Sequence, residues 1–115
     1  MSVLKIFLTL CWLVIVFVTV QAFSQQGMIA GELFVADIQA LNWRAQFNVD
    51  FLAHLLLLGS WVAWRHRFST AGFALALACV LGGGLVSMLY ILVSSVRAKG
   101  DTQILLLGAS AANTK

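Results

Sequence analysis

The chain has 115 residues, 62% of them hydrophobic and 10% charged, with no proline and a formal charge of +3. Soluble domains carry about 25% charged and about 45–50% apolar residues, so this composition excludes an ordinary soluble domain and points to a single membrane domain. Seven scattered basic residues, Lys5, Arg44, Arg65, Arg67, Arg97, Lys99 and Lys115, draw no nucleic-acid footprint, and no nucleic-acid partner is expected.

Residues 3–23 predict a helix long enough to cross a hydrocarbon core of roughly 30 Å. A cleaved signal peptide is the alternative, with Lys5 as its charged end, Ile6 to Val20 as its apolar run and Val20-Gln21-Ala22 as its cleavage sequence. Trp12, in a stripe with Lys5, Thr9, Val16 and Thr19, favours retention and packing. The connection that follows holds Glu32 and Asp37. Within it, residues 31–41 read as a short amphipathic helix with Leu33, Phe34, Ile38 and Leu41 on one face, suited to the membrane surface or to capping a bundle. Trp43 and Arg44 form an interfacial anchor.

Residues 47–64 predict the second span. It carries Asp50 and His54 one turn apart, on the same sector as Gln46, Leu57, Trp61 and Trp64. An acidic side chain at the centre of a spanning helix costs roughly 2.5–3.5 kcal/mol on insertion scales, so this pair needs protein or an interface around it. Trp61, Trp64, Arg65 and Arg67 read as an aromatic belt closed by a basic interfacial turn. A pigment or haem site at His54 is disfavoured, because Asp50 sits where a porphyrin would approach and no second intramembrane histidine exists.

A short turn makes the third predicted span, residues 70–96, an antiparallel neighbour of the second. Gly72, Ala76, Cys79, Gly83 and Ser87, continued by Tyr90 and Ser94, form a stripe of small or polar residues that reads as a helix-packing face. The run Gly82-Gly83-Gly84 could bend that helix. In the tail, residues 97–115, Gly100 ends the helix, Ile104 to Leu107 is too short to span, and the last residues read as disordered. Cys11 and Cys79 lie in apolar runs and read as buried thiols.

The expected fold is therefore all-α: a three-helix transmembrane bundle, up-down-up, with a short amphipathic helix in the first connection. In that arrangement Thr19, Asp50, His54, Tyr90, Ser94 and Arg97 share one depth and form a polar cluster. The segments FNVDFL and WVAWR on the second helix, with LGGGLVSMLYIL on the third, resemble an uncharacterised bacterial family of small three-helix integral membrane proteins, a domain of unknown function. The likeness covers about residues 3 to 100; this chain lacks the proline often found in that family's third segment, and the family implies a bacterial membrane location and no activity.

Up-down-up topology divides the basic residues almost evenly, and the acids of the long connection favour a cytoplasmic N-terminus in the bacterial inner membrane. The leading functional expectation is a structural or accessory subunit, packing as a homo-oligomer or in a larger membrane complex within the lipid bilayer. The alternatives are a proton- or ion-linked transporter component using Asp50 and His54, and a lipid-, pigment- or cofactor-binding protein. No nucleophile–base pair, phosphate loop or metal-ligand spacing is present, so neither enzyme activity nor a cofactor or metal is expected.

Overall fold

A computed structural model describes residues 2–109. The described chain is helical throughout, in six elements: α1 (Ser2–Gln26), α2 (Ala30–Gln39), α3 (Trp43–Arg65), α4 (Thr70–Gly82), α5 (Gly84–Ala98) and α6 (Thr102–Leu107). Two of these, α1 and α3, are long and apolar enough to cross a membrane. The expected tail disorder at residues 110–115 lies outside the described residues.

In α1 the stretch Val14 to Val20 is rich in β-branched residues, which form helices poorly in water. An apolar environment imposes helix there by requiring every backbone group to pair internally. The hydroxyls obey the same demand: Thr9 Oγ1 donates to the Lys5 carbonyl at 2.8 Å and Thr19 Oγ1 to that of Ile15 at 2.7 Å. Asn42 caps α3 by accepting from the Arg44 and Ala45 amides, and Ser69 caps α4 by accepting from Gly72. The short helix expected at 31–41 is α2, which lies against α3 through Asn48 Nδ2 donating to the Phe34 carbonyl and an Arg44–Asp37 ion pair of 3.3 Å.

The expected third span is not one helix. Gly72 at the start of α4 abuts His66, and Tyr90 in α5 reaches the same His66, whereas a straight helix would hold residues 72 and 90 roughly 27 Å apart. The chain reverses at Gly83, whose φ of 58° and ψ of −142° suit glycine alone. Gly83 ends one helix and starts the next: its N–H donates to the Cys79 carbonyl, and its own carbonyl accepts from Ser87. The glycine run, read in sequence as a possible bend, is the tip of a helical hairpin. At 13 and 15 residues, α4 and α5 are roughly 20 Å long, too short to cross a 30 Å core singly.

The hairpin sits between the two long helices. Its α4 arm packs on α3, where Gly59 lets Ala76 and Val80 approach and Gly72 lies against Ala63. Val62, Ala63, Ala76 and Cys79 form the buried core of that contact. The α5 arm packs on α1, with Trp12 Nε1 donating to the Leu85 carbonyl at 2.8 Å and Ile15 against Gly84. Phe51 and Ile15 cover the tip from opposite sides. The covered side of α1 ends at Val16, and from Phe17 onward the helix is exposed. The N-terminus of α1, the C-termini of α3 and α5, and α6 consequently gather at one end of a body measuring 50 × 27 × 23 Å, with α2 at the other.

Candidate functional site

The residues that converge are not the six the up-down-up reading gathers. Asp50 and His54 pair with each other, Oδ1 to Nδ1 at 3.0 Å, and His54 Nδ1 also lies 2.7 Å from the Asp50 carbonyl. Their side chains are 53% and 73% exposed, on the outer surface of α3. Thr19 bonds only within its own exposed turn. Tyr90, Ser94 and Arg97 lie at the opposite end of the molecule, because the reversal at Gly83 carries α5 back toward the C-terminus of α3. The depth inference failed at its premise of a straight third helix.

At that opposite end the centre is Arg65, only 8% exposed. Its Nε donates to the Leu105 carbonyl at 2.6 Å, one terminal nitrogen to the Ile104 carbonyl at 3.3 Å and the other to Tyr90 Oη at 3.0 Å. The guanidinium carbon also lies 6.0 Å from the Trp61 ring centroid and 5.7 Å from that of Tyr90. Trp61 Nε1 donates to the Leu106 carbonyl at 3.0 Å, and its ring meets Tyr90 edge-on at 84°. These acceptors belong to α6, where the Ile104 carbonyl also accepts from the Gly108 N–H and the last carbonyls carry the negative end of the dipole. A buried arginine and an indole supply donors to the Leu105 and Leu106 carbonyls. Asp101 caps the other end of α6, accepting from the Gln103 and Ile104 amides.

His66 extends this network. Tyr90 Oη accepts from Arg65 and lies 2.7 Å from His66 Nε2, a nitrogen that accepts the hydroxyl hydrogen in the tautomer that leaves it unprotonated. Burial pushes the His66 pKa below its ordinary 6.5, and the Arg65 guanidinium adds to the shift. A cavity of about 400 Å³ opens beside the network, lined on its polar side by Arg65, His66, Tyr90, Ser94 and Arg97.

Arg65 and Trp61, expected as interfacial anchors, are instead structural: one is buried and both hold α6. Arg67 is exposed, as are Trp43 and Arg44, the latter paired with Asp37. The five small residues of the packing stripe, Gly72, Ala76, Cys79, Gly83 and Ser87, are all buried. The sequence marks Arg65 as an anchor and does not show its buried role, because its partners include backbone carbonyls contributed by a distant segment, which leave no charge pattern. A short apolar run with an Asp cap, too short to span, was the one available signal.

Comparison with protein-family models, with curated proteins and with solved structures finds no match to this chain.

Proposed function

We propose that this chain is a small integral protein of the bacterial inner membrane that acts as a structural or accessory subunit, packing against a second copy or a larger membrane complex through the Asp50–His54 face of α3. One observation carries the reading: the hydrogen-bonded pair of Asp50 and His54 lies exposed on the outside of a helix that is otherwise apolar enough to span. The Asp50 carboxylate lies one turn from His54, which stands near the middle of the 23-residue α3, and an acidic group facing lipid at a helix centre costs roughly 2.5–3.5 kcal/mol. Protein packed over that face removes the cost. The pairing of Asp50 with His54 alone leaves the proton-linked alternative without a relay inside one chain.

In this reading α1 and α3 span, while α4 and α5 form a re-entrant hairpin that enters and leaves on one side. Non-helical backbone at membrane depth is tolerated where protein covers it, and the covering of Gly83 by Phe51 and of Gly84 by Ile15 supports the assignment. The hairpin also sharpens orientation. Lys5, Arg65, Arg67, Arg97 and Lys99 share one end, while Arg44 stands at the other beside Glu32 and Asp37. That asymmetry supports a cytoplasmic N-terminus under the positive-inside rule. The Trp12–Leu85 bond supports retention of α1 as a span rather than removal as a signal peptide.

The test is cross-linking in native membranes through a cysteine at Leu57, on the Asp50 face, with Cys11 and Cys79 replaced. We expect a discrete cross-linked species that survives in Asp50→Asn and is lost in the Asp50→Leu/His54→Leu double variant. A cross-linking pattern identical in all three proteins, or its absence from each, would refute the packing role.

A further inference from the structure

The cavity between the hairpin arms has two ends of different chemistry. Toward the gathered helix termini stand Arg65, His66, Tyr90, Ser94 and Arg97; toward the hairpin tip the walls are Leu75, Val86, Leu89 and Val93, with Ile104 at the side. The distance from Val86 to Arg97 along α5 is roughly 16 Å. At about 400 Å³ the space falls within the range of roughly 300–1,000 Å³ common for small-ligand sites.

Charge decides what suits the polar end. Two arginines line it and no carboxylate does. The carboxylate contacts of the described residues, Arg44–Asp37 and His54–Asp50, involve neither arginine. Arg65 is held by two carbonyls and a hydroxyl, none of which neutralises it. Arg97 has no hydrogen-bond or ion-pair partner among the described residues. Two guanidinium groups that no described carboxylate compensates, above an apolar trough, complement a molecule with an anionic head and a hydrocarbon tail, and arginine matches phosphate geometry well.

We infer that this cavity binds one anionic phospholipid of the cytoplasmic leaflet, its phosphate at Arg97 and the outer edge of Arg65, and an acyl chain along Leu75, Val86, Leu89 and Val93. The inference rests on the membrane reading proposed above, since that reading puts the cavity mouth at headgroup level. Arg97 supplies the selectivity for charge, whereas the apolar trough accepts any acyl chain.

The experiment has two stages. Alkaline extraction of native membranes first tests the membrane reading: a chain released into the soluble fraction refutes both that reading and the phospholipid site. The retained full-length protein is then purified in mild detergent and titrated with phosphatidylglycerol, phosphatidylcholine or oleate, with bound lipid counted by native mass spectrometry. We expect phosphatidylglycerol to bind at one site about tenfold more tightly than phosphatidylcholine. Arg97→Gln should abolish the preference, Arg97→Lys should retain most of it, and Arg67→Gln, outside the cavity, should leave it intact. Leu89→Trp should block the trough and remove single-site binding of both phospholipids. Equal binding of the two phospholipids, equal losses in Arg97→Gln and Arg67→Gln, or saturable binding of oleate alone would each overturn the phospholipid assignment.

Discussion

Arg65 shows how a single charge can organise backbone rather than side chains. Hydrogen bonds to charged groups contribute more than neutral ones, about 1.5–3 kcal/mol, so its two carbonyl acceptors account for much of what holds a six-residue helix in place. The Tyr90 hydroxyl links this arginine to His66, and the linkage has a pH dependence of definite sign. His66 has a folded-state pKa below its ordinary 6.5, so the unfolded chain binds the proton more readily. Its contribution is complete above pH 6.5 and is lost as pH falls through the lowered folded-state value. Thermal stability in detergent should therefore drop as pH falls below 6.5, more steeply in the wild type than in His66→Gln, whose amide can still accept from Tyr90. Identical slopes would refute the assignment. Tyr90→Phe, which removes an acceptor from a buried guanidinium, should cost roughly 1–3 kcal/mol across the same range.

Among the elements, the hairpin depends most on one residue. Gly83 occupies a backbone conformation that side chains resist, and an added Cβ would stand 3.2 Å from Phe51. Gly83→Ala should lower stability by roughly 1–3 kcal/mol, whereas Gly31→Ala, in helical backbone with nothing near its Cβ, should be neutral or slightly stabilising. Denaturation monitored by protease resistance would compare them; equal resistance would remove the case for a reversal at Gly83. The packing stripe was legible in the sequence because small residues at helical spacing have one dominant use between apolar helices. Its continuity was misleading. The spacing from Gly72 to Ser94 persists through Gly83 as though one helix carried it, yet the hairpin folds the stripe back on itself. Three consecutive glycines signal a break, but whether the chain bends or reverses is decided by Ile15 and Phe51, which only the tertiary structure brings together. The Asp50–His54 pair was legible as a pair, and its partners were misassigned for the same reason.

For the whole molecule, the hairpin changes which loops share a side. In a straight-helix topology residues 67 and 99 would lie on opposite faces of the membrane; here both stand at the end shared with the N-terminus of α1. Cysteines placed at Arg67 and Lys99, with Cys11 and Cys79 replaced, should both react with an impermeant maleimide from the cytoplasmic side, and one at Met28 from the other. Labelling of positions 67 and 99 from opposite sides would restore the three-span arrangement.

The unequal depth of the four longer helices has a mechanical result. In a bilayer, α1, α3, α4 and α5 would all occupy the leaflet holding Arg65, but only α1 and α3 would cross the whole of the other. Each helix with its side chains is roughly 10 Å across, so the protein displaces more lipid from one leaflet than from the other. Such a tapered body fits least well in a flat, symmetric membrane. It would concentrate where the broad leaflet is stretched by curvature, and several copies side by side would bend the membrane toward the narrow end.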